Sequence, residues 1–157
     1  SDDYQDYYYF LAALGRKTNF VATQLTLLVL RTLPLPQRVL LVIDDSHTIR
    51  RSAELYLRQA GCEVLLAEDG FDALSKVADH QPDIVFVDIM MPRLDGYQTC
   101  SLIKHNKVFK SIPVIMLSSK DGLFDRARGR IVGSEHYLTK PFTKDELLGA
   151  ITRQAAR

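Results

Sequence analysis

The sequence predicts an α/β domain built around a doubly wound, five-stranded parallel sheet. From Arg38 onward, five short apolar runs alternate with five helical patterns. A run such as Ile84 to Val87 is too short for a helix and too continuously apolar for a strand with one solvated face. It therefore predicts a strand buried on both faces. Polar residues follow four of these runs, at the position where open α/β sheets place their functional groups.

The composition is typical of a soluble globular protein. Of the 157 residues, 46% are hydrophobic and 25% are charged, which suits one domain with a short extension. The formal net charge is +1, without the clustered basic excess that is typical of nucleic-acid-binding proteins. We therefore expect no nucleic-acid partner.

The sequence shows no membrane or secretion signal. The longest apolar region, Phe20 to Leu33, is too short and too often interrupted by polar residues to span a bilayer. The first residues are acidic and aromatic, unlike the basic start of a signal peptide. Cys62 and Cys100 lack the spacing of a disulfide framework or a metal site. These features predict a cytoplasmic chain with no membrane insertion and with reduced cysteines.

Residues 1–36 differ from the rest and predict an N-terminal extension of two short helices, at about 4–14 and 20–32. The run Leu25 to Leu30 is also compatible with a strand. Gly15 would end the first helix, and Pro34 follows the second. Aromatic segments this short cannot form a core alone. The extension is therefore expected to dock on its own domain, on a partner or on a second copy of the chain, the last of these being self-association.

Residues 37–157 predict the main domain. Its strands are predicted at 39–43, 63–67, 84–87, 114–117 and 135–138, and its helices at 46–59, 70–79, 96–107, 121–132 and from Thr143 onward. The spacing of Thr143 and Glu146 predicts a capping box at the start of the last helix. Helical periodicity predicts the inward positions of the first two helices, which are Ile49, Ala53, Tyr56, Leu57 and Ala60, then Phe71, Leu74, Val77 and Ala78.

Four strand ends carry unusual polar residues. The first strand ends at Asp44 and Asp45, the third at Asp88, the fourth at Ser118 and the fifth near Lys140. In a doubly wound sheet of order 2-1-3-4-5, strands 1 and 3 are neighbours at the switch point, and strands 4 and 5 follow. That order brings all four ends to one crevice.

These residue types favour phosphoryl transfer to a carboxylate. Three carboxylates at one point would repel one another, and a hard divalent cation with few protein ligands, such as Mg²⁺, would resolve that repulsion. Lys140 would add a compact positive charge and Ser118 a hydroxyl donor. The peptide bond between Lys140 and Pro141 is a candidate for the cis form, which X–Pro bonds adopt at little cost.

Several motifs together resemble the receiver domain of CheY-type response regulators, which have the flavodoxin-like fold. They are the acidic pair Asp44-Asp45, the D-x-x-M-P-x-x-D-G run from Asp88 to Gly96, Ser118, and the K-P-F run from Lys140 to Phe142. The resemblance extends from about Arg38 to Ala156. More closely, the runs V-I-D-D-S-x-T-I-R-R, F-V-D-I-M-M-P-R-L-D-G-Y-Q-T-C and Y-L-T-K-P-F resemble PilG-type regulators of type IV pilus twitching motility.

The resemblance implies a role for each residue of the acidic crevice. Asp88 would accept the phosphoryl group. The side chains of Asp45 and Asp88 and the carbonyl of Met90 would bind Mg²⁺, with Asp44 contacting the ion mainly through water. The chain would then be a phosphoacceptor signalling protein and not an enzyme, beyond Mg²⁺-dependent self-phosphorylation and autodephosphorylation.

The resemblance also implies a donor and an output. A CheA-type histidine kinase would supply the phosphoryl group, whose oxygens Ser118 and Lys140 would bind. Tyr137 would turn inward as the Ser118 loop closes. The face formed by the fourth strand, fourth helix and fifth strand would then change its binding of a pilus-motor or regulatory protein. The alternative function is a phosphate sink for another regulator of the same pathway.

Some of these residues also have plainer interpretations. Tyr137 could be an ordinary core residue. Arg126, Arg128 and Arg130 are as readily a solvated helix face as a binding surface, and Asp95 is expected to cap a turn or helix and not to bind metal. The chain lacks a P-loop, a flavin phosphate loop and the D-x-D of haloacid-dehalogenase-type phosphatases, so those functions are set aside.

Overall fold

The computed structural model describes residues 38–119 and 123–155, together with six isolated helical positions nearer the N-terminus, which are Gln5, Asp6, Tyr9, Gln24, Leu25 and Leu28. The chain divides into two compact units, Ser1–Gln37 and Arg38–Arg157. Apart from those six positions, the two helices predicted for residues 1–36 lie outside the described residues. The ten elements given below all belong to the second unit.

Five strands alternate with five helices, as the sequence predicts. In chain order they are β1 (Val39–Ile43), α1 (His47–Gln59), β2 (Glu63–Ala67), α2 (Gly70–His80), β3 (Ile84–Asp88), α3 (Gly96–Lys104), β4 (Val114–Ser118), α4 (Leu123–Ile131), β5 (His136–Thr139) and α5 (Lys144–Ala155). The largest difference from the predicted bounds is at α3, which ends at Lys104 and not at residue 107. The Asn106 side chain accepts a hydrogen bond from Val108 N at 2.8 Å, which favours a turn there. None of the described helices combines the length and apolarity needed to cross a bilayer.

The strand order is β2-β1-β3-β4-β5, and every pairing is parallel. This confirms the predicted doubly wound fold. Asp88 at the end of β3 aligns with Leu117 on β4, and Ser118 at the end of β4 aligns with Thr139 on β5. The register therefore brings the polar strand ends to the same edge of the sheet.

The sheet is buried on both faces. Along β3, Val85 and Val87 belong to one apolar cluster, while Ile84 and Phe86 belong to the other. All residues of β3 and β4 are buried. This alternation follows from the two-residue period of a strand. Because each such side chain contributes about 1.5–3 kcal/mol when fully buried, the strands form a firm base for the residues at their ends.

Two of the predicted helix caps are present. Asp95 caps α3 in a reciprocal capping box with Gln98, which confirms its assignment as a cap. At the start of α5, Glu146 N donates to Thr143 Oγ1 at 3.1 Å, and Thr143 N donates to Glu146 Oε1 at 3.4 Å. Both boxes satisfy backbone donors that have no partner within the helix.

The predicted inward face of α2 is wrong at Phe71 and Ala78, which are exposed. A Cβ placed on Gly70 would lie 2.5 Å from Thr99 Oγ1, so α2 and α3 are in close contact at Gly70. The space between the two helices at the start of α2 therefore does not admit a large side chain. Phe71 instead lies on the surface, where the guanidinium of Arg93 is 5.3 Å from the centre of its ring.

The predicted face of α1 is also partly wrong. Ala53 and Leu57 are buried as expected, but Ala60 is exposed because the helix ends at Gln59 and Ala60 is its C-cap. Arg50, which the sequence did not place inward, is only 8% exposed. A buried arginine requires acceptors for its N–H groups.

Candidate functional site

The acidic crevice lies where β1 and β3 end side by side. Asp44 follows β1 and is fully buried, and Asp88 ends β3 with 3% exposure. Asp45 is exposed at the mouth of the crevice. The switch point between β1 and β3 thus holds three carboxylates, as the strand order predicts.

Lys140 bridges the two buried carboxylates. Its Nζ donates to Asp44 Oδ2 at 2.9 Å and to Asp88 Oδ1 at 3.0 Å. Its backbone N donates to Ser118 O at 2.6 Å, so the end of β4 is joined to the same lysine. The Lys140–Pro141 peptide is cis, as anticipated. Residues from four strand ends therefore meet in one place.

The proximity of these charges shifts their pKa values. Burial raises the pKa of Asp88 to about 6, and the Asp44 carboxylate adds to this, while Lys140 opposes it. Burial acts to lower the pKa of Lys140, but its bonds to Asp44 and Asp88 outweigh that effect and raise it. The lysine is therefore charged at neutral pH, and it offsets only part of the repulsion between the carboxylates.

The carboxylates fit a hard cation. One oxygen from each of Asp44, Asp45 and Asp88 lies within 4.8 Å of the others. Oxygen ligands in small number suit Mg²⁺, which keeps several of its waters. Met90 is 73% exposed beside them, and its backbone N donates to Asp88 Oδ1 at 3.3 Å.

Gly96 allows α3 to approach the backbone of Asp88. Its N donates to Ile89 O at 2.9 Å. A Cβ at this position would lie 2.3 Å from Asp88 O and 2.8 Å from Ile89 Cα, which are contacts that no larger residue can make. The glycine of the Asp95-Gly96 pair therefore has a packing reason, and it fixes the turn that carries Met90.

Ser118 and Tyr137 lie next to the carboxylate cluster and outside it. Ser118 is 4% exposed at the end of β4. Tyr137 is half-buried on β5, packs against the apolar core, and has the Arg126 guanidinium 5.2 Å from its ring centre. Tyr137 therefore has features of both a core residue and a surface residue.

A cluster that the sequence did not reveal joins α3 to α4. Tyr97 Oη contacts Asp125 Oδ1 at 3.2 Å and donates to Asp125 O at 3.3 Å. The Arg128 guanidinium lies 4.3 Å from the centre of the Tyr97 ring. Burial raises the pKa of Tyr97 to about 12, and Asp125 adds to this. We refer to Tyr97, Asp125 and Arg128 as the tyrosine cluster.

A groove of about 310 Å³ runs between α4 and β5. It is lined by Arg126, Arg130, Ser134, Glu135, His136 and Tyr137. Glu135 is the acidic residue of this lining, and Lys104 Nζ already donates to its Oε1 at 2.5 Å while Val114 N donates to its Oε2 at 2.6 Å. Of the six lining residues, Arg126 and Arg130 are cationic, and the carboxylate of the acidic residue Glu135 is already engaged.

Comparisons with known proteins agree with this geometry. A model of the response regulator receiver domain matches residues 40–152. Protein PilG of Pseudomonas aeruginosa is 74% identical over 111 residues, which cover 71% of this chain and 82% of that protein. The alkaline phosphatase synthesis transcriptional regulatory protein PhoP of Bacillus subtilis is 36% identical over 108 residues, which cover 69% of this chain but only 44% of that protein.

Solved structures share the fold. The chemotaxis protein CheY4 of Vibrio cholerae superposes with a TM-score of 0.73 at 30% identity, over 75% of this chain and 98% of that one. A putative response regulator from Chloroflexus aurantiacus superposes with a TM-score of 0.75 at 33% identity, over 78% of this chain and 100% of that one. Both matches cover whole receiver-sized chains.

Proposed function

The chain belongs to the response regulator receiver domain family, and on that premise we propose that Asp88 is the residue that accepts a phosphoryl group. The observation that carries this proposal is the position of Asp88. It is a buried carboxylate at the end of a core strand, bonded to Lys140 and adjacent to two further carboxylates. An exposed side of the crevice, at Asp45, leaves room for a donor.

In the proposed reaction, an oxygen of Asp88 attacks the phosphorus of a phosphohistidine on a histidine kinase. A P–O bond to Asp88 forms as the P–N bond breaks, and the histidine nitrogen leaves and is protonated. Lys140 would then bind one oxygen of the transferred group, and the Ser118 hydroxyl would bind another. The short bond between the Lys140 backbone and Ser118 O supports the idea that they act together.

Asp45, Asp88 and the Met90 carbonyl are the proposed ligands of Mg²⁺, with Asp44 contacting it through water. The three carboxylate oxygens within 4.8 Å of one another support this assignment. When bound, the ion would neutralise the incoming phosphoryl oxygens. Asp44 is also engaged by Lys140 and by Ser46 N, which donates to Asp44 Oδ1 at 2.8 Å, and this favours an indirect role.

The output would be a change in the face formed by β4, α4 and β5. Phosphorylation adds negative charge and acceptor oxygens beside Ser118. Movement of Ser118 toward them would bias a two-state equilibrium of that face, with Tyr137 responding at its surface. The groove between α4 and β5 carries Arg126 and Arg130, so it favours an acidic segment of a partner protein.

The identity to PilG supports a place in type IV pilus control. We propose that the donor is a CheA-type histidine kinase and that the partner is a pilus-motor or regulatory protein. Such a kinase would deliver its phosphoryl group in the cytoplasm. The chain would act as a phosphoacceptor, with its own chemistry limited to Mg²⁺-dependent gain and loss of the phosphoryl group.

Incubation with a small acyl phosphate and Mg²⁺ tests the acceptor assignment. Intact-mass measurement should show one added phosphoryl group in the unsubstituted protein and none in Asp88→Asn. Asp79→Asn, which alters an exposed carboxylate on α2, is the matched control and should be modified normally. Equal modification of Asp88→Asn and the control would show that Asp88 is not the acceptor.

A phosphate sink is the alternative function, and it would use the same site. The two differ in partners, so pull-downs with and without beryllofluoride as the phosphoryl mimic separate them. An output regulator should capture a motility protein only when activated, and Arg126→Glu should reduce that capture. A sink should capture the kinase alone in both states.

Self-association through residues 1–36 is a separate proposal that rests on the division of the chain at Gln37. A chain beginning at Arg38 should show fewer copies per particle by light scattering, with each measured mass divided by that of its own chain, and unchanged modification by the acyl phosphate. An unchanged number of copies would refute self-association through this segment.

A further inference from the structure

Arg50 lies beside the acidic crevice in an unusual setting. Its guanidinium is nearly buried, and its Nη1 donates to the backbone carbonyl of Asp44 at 2.6 Å. A carboxylate of Glu68 also lies near it, with Oε1 3.7 Å from Nη2 on a side chain that is 79% exposed. The buried positive charge is thus directed mainly at one peptide carbonyl.

That carbonyl belongs to the peptide unit that joins Asp44 to Asp45. A peptide unit is planar, so holding its oxygen also fixes its N–H and the direction in which the chain enters Asp45. The peptide unit before Asp44 is held as well, because Asp44 N donates to Ala67 O at 3.2 Å on β2. Arg50 is therefore the group that sets the orientation of the second peptide and, through it, the position of the Asp45 carboxylate.

We propose that Arg50 is a positioning residue for the metal site, which holds the Asp44–Asp45 peptide so that the Asp45 carboxylate faces the cation. This inference rests on the proposed function, because it assumes that Asp45 is a ligand of Mg²⁺. Groups that orient the ligands of a metal commonly alter its affinity by about 10–100-fold when they are removed.

The energetic setting supports a role beyond packing. Taking a guanidinium out of water costs several kcal/mol, and a long contact with an exposed carboxylate returns little of it. The next residue, Arg51, shows the ordinary arrangement. Its side chain is 62% exposed and pairs with Glu54 at 3.0 Å on the same helix. The two adjacent arginines therefore form a matched pair for experiment.

Titration of Mg²⁺ into Arg50→Met and Arg51→Met by calorimetry tests the proposal. Methionine keeps the apolar stem and removes the donor. Arg50→Met should bind Mg²⁺ about tenfold more weakly than the unsubstituted protein, and Arg51→Met should stay within about twofold. The Mg²⁺ concentration for half-maximal phosphorylation should rise by the same factor in Arg50→Met, while the rate at saturating Mg²⁺ should be retained.

Hydrogen exchange in the absence of metal provides the second readout. The Asp44 and Ser46 amides are both hydrogen-bonded in the loop, at 3.2 and 2.8 Å. They should exchange faster in Arg50→Met, while the amides around Leu57 in the middle of α1 keep their protection. Loss of protection throughout α1 would show that Arg50 only supports the helix, and it would overturn the proposal.

The outcomes distinguish a failure of the role proposed for Arg50 from a failure of the proposed Mg²⁺ site. Equal Mg²⁺ affinity in Arg50→Met and the unsubstituted protein would overturn the role of Arg50 alone. Failure of the unsubstituted protein to bind Mg²⁺ would overturn the proposed metal site, and the exchange measurement would then decide whether Arg50 holds the loop. If Arg50→Met does not fold, Arg50→Lys carries the same test, with an intermediate loss of affinity expected and equal affinity refuting the proposal.

Discussion

Helices α1 and α4 are attached to the domain by different chemistry. Helix α1 buries Ala53 and Leu57 in the core, together with Arg50. Among the described side chains of α4, residues 125–131, only Gly129 is buried. Because buried apolar area is the main source of local stability, these residues anchor α1 in the core, whereas residues 125–131 of α4 bury little apolar side-chain area. Of the described residues, those of α1 next to the acidic crevice are thus the more firmly held, and those of α4 next to the groove are the less firmly held.

The side-chain contacts of α4 that the structure describes, at residues 125–131, are polar or aromatic. The tyrosine cluster joins it to α3, and Arg126 lies over the ring of Tyr137 on β5. Contacts of these kinds contribute about 0.5–1.5 kcal/mol each. Residues held by a few such contacts can shift without disturbing the core, as the proposed switching of this surface would require.

The largest expected effect compares one apolar residue from each helix. Leu57→Ala in α1 should lower the free energy of unfolding by about 2–5 kcal/mol, because it leaves a cavity in the core. Ile131→Ala in α4 should change it by less than about 0.5 kcal/mol, since Ile131 is 83% exposed. Urea denaturation measures both. A comparable loss in the two variants would contradict the difference in attachment.

The second prediction concerns how much the buried, ionised Asp88 lowers the free energy of unfolding. An unfolded aspartate has a pKa near 3.9, and in the fold burial raises that of Asp88 to about 6. The folded state therefore binds the proton more tightly, and stability falls as the pH rises from about 4 to 6. In metal-free protein above pH 7, Asp88→Asn should be more stable than the unsubstituted protein by about 3 kcal/mol.

This gain should shrink between pH 6 and pH 4, and it should be absent below about pH 4, where both states are protonated. Denaturation at a series of pH values with a chelator present measures it. A difference that does not vary with pH would indicate that ionised Asp88 is not destabilising.

The third prediction is that weakening the tyrosine cluster makes the region around α4 open more often. Tyr97→Phe removes the contacts to Asp125 and should cost about 1 kcal/mol. Burial raises the pKa of Cys100 to about 12, and its Sγ contacts Val132 O at 3.6 Å just after α4. A thiol reagent at pH 8 should therefore reach Cys100 only when this region opens, about fivefold faster in Tyr97→Phe.

Cys62 supplies the internal control for that experiment. It is half-buried just after α1, away from the tyrosine cluster. Its labelling rate should be unchanged by Tyr97→Phe. If both thiols became more reactive together, the substitution would be loosening the whole domain and not α4.

The smallest expected effect is that of Arg126. Its guanidinium lies 5.2 Å from the Tyr137 ring centre at an exposed position, so Arg126→Ala should cost no more than about 0.5–1 kcal/mol. Thermal unfolding of Arg126→Ala measures this loss of stability, with Arg51→Ala as the control at another exposed arginine. A loss above 2 kcal/mol would show that α4 depends on this contact for its place.

The fold and the acidic crevice could be predicted because both depend on local patterns. Each strand is a short apolar run that ends at a polar residue, and parallel register then brings those ends together. The positions of Asp44, Asp88 and Lys140 follow from this without knowledge of any side-chain contact. Helix caps such as Asp95 are equally local, and they too were predictable.

The burial of Arg50 was not predicted, because the group that accepts its hydrogen bond is the backbone carbonyl of Asp44. Every residue has such a carbonyl, so no sequence pattern indicates which one pairs with an arginine. One signal was available: Arg50 stands three and seven residues before Ala53 and Leu57, so it shares their helical face. The sequence favoured Ile49 for that face because it is apolar.

The tyrosine cluster was hidden for a different reason. Tyr97 and Asp125 are 28 residues apart on different helices. Neither residue stands in a pattern that requires a partner. The exposed position of Phe71 was missed similarly, since it depends on how closely α2 approaches α3 at Gly70.

The position of Lys140 just beyond β5 would limit how far the effect of the proposed phosphorylation has to travel. Tyr137 lies on β5 and Lys140 follows the last residue of that strand, three residues further on, so at about 3.3 Å per residue of extended chain the separation is about 10 Å. An extended strand resists compression along its length because its peptide units are planar. A shift of the lysine along that axis would therefore reach the tyrosine nearly undiminished, without a relay of side chains through the core.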